Sequence, residues 1–255
     1  FSLQPSELAK IGIILFLAAY ISSKSREMRQ WKKMVIPFLF AIPIIVIVGI
    51  ENLSTCIILL AISFIMIFVA TPLLVPFVVI GLIGVAGAGG LLLTQGYRME
   101  RITVWLDPAA SEKGHQTIQG LYAIGSGGLF GKGLGQSMQK LGFLPEANND
   151  MIFSVICEEL GLFGALCVLA LFFALIWRFM VIAVNAPDLY GSMIVVGVIA
   201  HIGIQVFINI AVATNTIPNT GIPLPFISYG GSSLVFMLLE MGLVLSVSRY
   251  INVKK

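Results

Sequence analysis

An ionisable side chain inside a long apolar run is costly in a membrane, and each one is a candidate for chemistry. Asp150 follows Pro145-Glu-Ala-Asn-Asn and stands directly before the apolar run Met151-Ile-Phe-Ser-Val-Ile. Two readings of it stand. An acid at a helix N-terminus is favoured by the helix dipole. A carboxylate at the rim of a membrane cavity is partly desolvated, which raises its pKa and suits it to act as a general base. Glu7 and Lys10 are spaced i, i+3 and share a helix face. They form either a self-neutralising pair or a cavity wall whose lysine meets an anionic substrate. Glu158 and Glu159 lie eight and nine residues beyond Asp150, about 12 Å deeper along a helix. Helical rotation puts Glu159 on the face opposite Asp150, so at most one shares its cavity and the other bonds a neighbouring helix. His201, Gln205 and Asn209 form an i, i+4, i+8 polar stripe, explained by interhelical hydrogen bonds or by substrate contact. Glu240 is a further charge in an apolar run, expected to be paired.

The elements that carry these groups are membrane spans. Of the 255 residues, 58% are hydrophobic and 11% charged, against about 25% charged in a soluble domain, and the mean hydropathy is +1.01. That excludes a soluble globular enzyme, a disordered linker and a nucleic-acid-binding module. Seven stretches are long and apolar enough to cross a bilayer: roughly 3–21, 34–50, 53–71, 73–94, 151–177, 189–213 and 232–250. The backbone must satisfy itself in hydrocarbon, so these are helices. The expected fold is an all-α polytopic membrane protein: four spans within 1–94, a long loop over 95–149, and three spans within 150–255.

Lys24, Arg26, Arg29, Lys32 and Lys33 lie between the first two spans; seven crossings place them on one side with Arg178, Arg249, Lys254 and Lys255. Such an excess marks the cytoplasmic side. The long loop, with Arg98, Arg101, Lys113, Lys132 and Lys140, is then extracytoplasmic. Trp31, Trp105 and Trp177 sit near span ends, as interfacial indoles do. A connection this long is functional or disordered, and its aromatics favour a partly ordered cap with short interfacial helices. Its glycine run lacks the Walker spacing, because Ser126 stands five positions before Gly131 and Gly133 follows Lys132. Pro218, Pro223 and Pro225 cannot continue a helix, so 215–231 reads as a re-entrant or interfacial segment. Cys56, Cys157 and Cys167 are odd in number and lie in apolar stretches, where they serve as small packing residues. The chain begins at Phe1 without a signal-peptide pattern, and the simplest expectation is a fragment of a longer protein.

Several segments together resemble the SEDS family of polytopic membrane proteins, of the RodA, FtsW and SpoVE types. They are Gln4-Pro-Ser-Glu-Leu-Ala-Lys10, Tyr97-Arg-Met-Glu-Arg101, Gly131-Lys-Gly-Leu-Gly135, Gln139-Lys140 and Leu144-Pro-Glu-Ala-Asn-Asn-Asp150. Glu158-Glu-Leu-Gly-Leu-Phe-Gly164, Gln205-Val-Phe-Ile-Asn-Ile210 and Pro218-Asn-Thr-Gly-Ile-Pro-Leu-Pro-Phe-Ile-Ser-Tyr-Gly-Gly-Ser-Ser233 follow in order. The family has ten spans, and the seven here resemble the fourth to tenth.

The resemblance implies a peptidoglycan glycosyltransferase that polymerises lipid II, an undecaprenyl-pyrophosphate disaccharide pentapeptide, at the outer face of the bacterial cytoplasmic membrane. The family's catalytic aspartate falls on Asp150 and its embedded Glu/Lys pair on Glu7 and Lys10. The matched segments implicate Glu7, Lys10, Arg98, Arg101, Lys140, Glu146, Ser228 and Tyr229 in substrate binding. Membrane lipids and a class B penicillin-binding transpeptidase are the implied partners. A divalent cation, Mg2+ or Mn2+, is a candidate cofactor; no organic cofactor is expected. Asn148, Asn149 and Met151 replace the family's frequent His-Thr before the aspartate and Phe after it. Glu51-Asn-Leu-Ser-Thr55 stands where Pro-Asp-Leu-Gly-Thr is common, so the acid at Asn52 is absent and a substituting role for Glu51 stays open. A lipid II flippase and a membrane scaffold for the transpeptidase are the alternative functions.

Overall fold

The computed structural model describes residues 4–71, 81, 96–111 and 114–251, without the side chains of Arg29, Trp31, Lys32, Tyr97 and Arg98. All regular structure among these residues is helical. The helices are α1 (Pro5–Ser23), α2 (Trp31–Glu51), α3 (Leu53–Ala70), α4 (Gly96–Leu106), α5 (His115–Gly127), α6 (Ile152–Asn185), α7 (Leu189–Ala213) and α8 (Gly231–Arg249). Among the described residues, six helices are long and apolar enough to cross a membrane: α1, α2, α3, α6, α7 and α8. The expected span at 73–94 lies outside the described residues.

Local chemistry sets the ends of these helices. Pro5 starts α1, where its missing N–H costs nothing. Asn52 separates α2 from α3, and its side-chain oxygen accepts the Thr55 N–H at 3.1 Å. It is therefore a helix cap, a role that needs no acid. The span expected at 151–177 continues to Asn185 as part of a 34-residue helix. The apolar run resumes after Arg178, which is exposed, as a snorkelling side chain is. At about 51 Å, α6 exceeds the roughly 30 Å hydrocarbon thickness, and it is interrupted at Gly161 (φ 67°, ψ −167°).

Two compact units divide the chain. The first comprises residues 1–82, 174–204 and 231–255; the second comprises 83–173 and 205–230. In the first, α1 packs against α2, α3 and α8 around buried Ile13, Ile14, Leu17, Ile58, Leu59 and Ile62. Gly197 on α7 approaches so closely that a Cβ there would stand 2.6 Å from Ile14. Glu7 and Lys10 also lie here, with Lys10 Nζ donating to Glu7 Oε1 at 2.7 Å. His201 Nδ1 meets both Glu240 oxygens at 2.9 Å, joining α7 to α8 through a side chain on each that is about 1% exposed. In the second unit, α4 and α5 supply short helices within the long loop, with 3-10 turns at Pro108–Ala110 and Gln139–Leu141. The stretch from 214 to 230 contains no helix, as its prolines require.

Candidate active site

Asp150 lies in the second unit, at the end of a turn that precedes α6, and is only 7% exposed. The turn is fastened largely through its backbone. Asn209 Nδ2 on α7 donates to Asp150 O at 2.8 Å and to Ile222 O at 2.9 Å. The Ser228 hydroxyl donates to Asn149 O at 2.5 Å and accepts the Leu224 N–H at 2.7 Å. The Tyr229 N–H donates to Asn148 O at 2.8 Å. Asn148 and Asn149 are thus held by their carbonyls, which any residue supplies. Met151 is buried against Gly120, where a Cβ would come within 2.3 Å of its terminal methyl. These contacts account for the turn tolerating the unusual side chains at 148, 149 and 151.

A cavity of about 380 Å³ opens over Asp150. Arg101 and Trp105 of α4, Gln116 of α5, and Asn215 and Asn219 of the non-helical segment line it with Asp150. Arg101 donates to Asn219 O at 3.2 Å, and the Trp105 indole donates to Asn215 O at 3.0 Å. Gln116 Nε2 lies 3.4 Å from Asp150 Oδ1, and Asn219 Nδ2 donates to Gln116 Oε1 at 3.0 Å. Burial pushes the Asp150 carboxyl above its ordinary range, and Glu146 adds to that push. The backbone N–H of Asp150, the Gln116 amide and the Arg101 charge pull it back. A carboxylate raised by desolvation accepts a proton more readily at neutral pH, and a fixed guanidinium beside it suits a phosphate.

Of the residues expected here, Asp150 and Arg101 meet in the cavity. The Arg98 side chain is outside the described residues. Lys140 is held elsewhere: its Nζ donates to Glu159 Oε1 at 2.5 Å. Glu146 accepts from the Asn149 side-chain amide, within the turn. Ser228 pins the backbone, and the Tyr229 side chain is 83% exposed. Lys10 closes on Glu7 within α1. At most one of Glu158 and Glu159 was expected to share the Asp150 cavity, with the other bonding a neighbouring helix; both instead turn to the glycine loop. Glu158 accepts from Lys132 Nζ at 2.6 Å and Ser137 Oγ at 2.5 Å, and Glu159 also accepts the Gly135 N–H at 3.0 Å. The cause is the backbone pairing of the loop with the α6 break, where the Lys132 and Gly133 N–H groups donate to the Glu158 and Glu159 carbonyls.

Gln116, Asn215, Asn219 and a polar role for Trp105 went unrecognised in the sequence; the one signal was that two of the amides flank Pro218 in a segment that cannot be helical. Among the described residues, no group of three or more His, Cys, Asp or Glu side chains stands together to hold a metal.

The family FTSW_RODA_SPOVE, described as "Cell cycle protein", matches residues 1–253. Stage V sporulation protein E of Bacillus subtilis (strain 168) is 48% identical over 256 residues, covering 98% of this chain and 69% of that protein. The probable peptidoglycan glycosyltransferase FtsW of Geobacter sp. (strain M18) is 36% identical over 252 residues, covering 97% of this chain and 69% of that one. A solved structure described as "Structural coordination of polymerization and crosslinking by a peptidoglycan synthase complex" matches with a TM-score of 0.78 at 28% identity, over 99% of this chain and 72% of its own. The crystal structure of the rod shape determining protein RodA of Thermus thermophilus matches with a TM-score of 0.68 at 30% identity, over 99% and 67%. The eight ordered segments, the helical membrane-spanning fold and these matches agree: the chain belongs to the SEDS family, the FtsW, RodA and SpoVE group of cell cycle proteins.

Proposed function

We propose that this chain is the catalytic part of a peptidoglycan glycosyltransferase that polymerises lipid II, with Asp150 as general base. The observation that carries this is a buried carboxylate of raised pKa beside Arg101, in a cavity next to membrane-spanning helices. Asp150 accepts the proton of the acceptor sugar's 4-hydroxyl as its oxygen attacks the donor anomeric carbon. The new C–O bond forms opposite the α-pyrophosphate, the old C–O bond breaks, and the product is β-1,4-linked. Arg101, with Arg98, stabilises the departing pyrophosphate by charge and bidentate hydrogen bonding. Burial of Asp150 limits competition from water.

The relatives named as glycosyltransferases support the reaction, and the solved synthase complex supports a crosslinking partner, a class B penicillin-binding protein. The charge distribution supports a cytoplasmic-membrane location with the 95–150 loop facing outward. The test is Asp150→Asn in the full-length protein, assayed on lipid II in detergent micelles. Loss of polymer by about 10²-fold or more is the size expected for a general base. Polymerisation at the wild-type rate by a folded variant overturns the assignment, and leaves the flippase and scaffold readings to be measured by lipid movement in vesicles and by partner capture.

A further inference from the structure

Three groups lead to Asp150 in a hydrogen-bond chain with a fixed direction. The Gly221 backbone N–H donates to Asn219 Oδ1 at 3.0 Å. A backbone N–H can only donate, so it fixes the Asn219 amide with its oxygen toward Gly221. Asn219 Nδ2 then faces Gln116 and donates to its Oε1 at 3.0 Å. That fixes the second amide in turn and leaves Gln116 Nε2 toward Asp150 Oδ1, at 3.4 Å, and toward Pro145 O, at 3.5 Å. The Arg101 bond to Asn219 O holds the middle of the chain. Every member points its donor toward the carboxylate.

We infer that Asn219 and Gln116 are positioning residues: a relay that presents an amide N–H, never an amide oxygen, to Asp150, so that one carboxylate oxygen is held and the other is left for the sugar hydroxyl. The inference rests on the reading of Asp150 as the base. It gives the Pro218-Asn-Thr-Gly221 segment a function at the reacting atoms from a position 103 residues beyond Gln116. An N–H donor stabilises the ionised form, so the relay keeps Asp150 ready to accept a proton despite its burial. The charged groups facing Asp150 are Glu146 from its own turn and Arg101 from α4, with Glu100 lining the same cavity. The other elements around it present Gln116 on α5, Asn209 on α7 and Asn219.

The pH dependence of kcat/KM tests this, because its acid limb reports the base in the free enzyme. The full-length protein is used, with lipid II in detergent micelles and thermal melting as the folding control. Gln116→Leu removes the terminal donor, so the acid limb moves to higher pH. Asn219→Asp keeps the shape and the bond from Gly221 but turns an oxygen toward Gln116. Gln116 Oε1 then faces an oxygen, which drives its amide to flip against the long 3.5 Å bond from Nε2 to Pro145 O; the flip presents the amide oxygen to Asp150, and the limb rises. The added negative charge raises the limb as well. That charge remains in the Gln116→Leu background, where no amide is left to flip.

A larger shift from Asn219→Asp in the wild-type background than in Gln116→Leu supports the relay. Equal shifts in both backgrounds, or an unmoved limb in Gln116→Leu, overturn it. Asp150→Asn is run alongside. If it abolishes polymerisation while the limb ignores Gln116, the relay alone fails; if it retains activity, the base assignment fails.

Discussion

Burying Asp150 has opposite consequences for reactivity and for stability. Its carboxyl is pushed up mainly by burial, so the folded state binds that proton more tightly than the unfolded chain does. Below the unfolded value, about 3.9, the group is neutral in both states and burial carries no charge penalty. As pH rises through the folded value the penalty appears, and the folded protein loses that increment of stability. Asp150→Asn removes the charge without changing the shape. Its thermal midpoint is therefore expected to lie above wild type at pH 7.5, with the gap closing as the pH approaches 4. Melting curves at both pH values check this, and a lower midpoint at pH 7.5 would show that hydrogen bonding outweighs desolvation. Asp150 stands out in the sequence as a carboxylate directly before an apolar run, a place open both to a helix-dipole acid and to a general base. Gln116 and Asn219 were not legible there, because neutral amides in irregular chain carry no periodicity and acquire a role only when folding brings them together. The ion pair of Lys140 was hidden for a related reason. A cation in an outward loop suits an anionic substrate, but Glu159, which neutralises it, is distant in sequence and was expected to face elsewhere.

At the scale of elements, the glycines are the parts most tightly constrained. Gly161 breaks α6 at φ 67°, and Gly131 faces it at φ 77°. A Cβ on Gly161 would lie 2.4 Å from Gly131 N, and one on Gly131 would lie 2.2 Å from Glu159 O. Both obstacles are backbone, which cannot swing aside. The approach lets the Leu162 and Phe163 N–H groups donate to Gly128 O and Leu129 O, satisfying groups that the helix break leaves free. Gly161→Ala is accordingly expected to cost about 2 kcal/mol or more through strain and lost pairing, read as a lower melting midpoint and reduced yield of folded protein. By contrast, Gly125 has open space around its Cβ position, and Gly125→Ala is expected to be tolerated. Equal behaviour of the two variants would remove the pairing from the account. The sequence showed the glycine run and the reason to reject a phosphate loop; it could not show that the run docks on a break in a span, because helical periodicity continues through Gly161 without interruption.

At the scale of the whole molecule, topology decides whether the Asp150 cavity faces the side where peptidoglycan is made. Nine basic residues fall on one predicted side and five on the other, which favours an outward loop. The same conclusion requires a count of crossings. Residues 24–33 precede α2, and the 95–150 loop follows α3 and the apolar stretch 73–94. If that stretch crosses the membrane, three crossings separate the two loops and they lie on opposite sides; if it does not, two crossings return them to the same side. Single cysteines at Ser25 and Gln136, both exposed, distinguish these cases once Cys56, Cys157 and Cys167 are replaced by alanine. In spheroplasts of cells making the full-length protein, a membrane-impermeant maleimide is expected to label Gln136→Cys directly and Ser25→Cys only after permeabilisation. Labelling of both from outside would mean that 73–94 does not cross. Labelling of Ser25→Cys alone would invert the molecule and put the Asp150 cavity in the cytoplasm, where extracytoplasmic polymerisation could not take place.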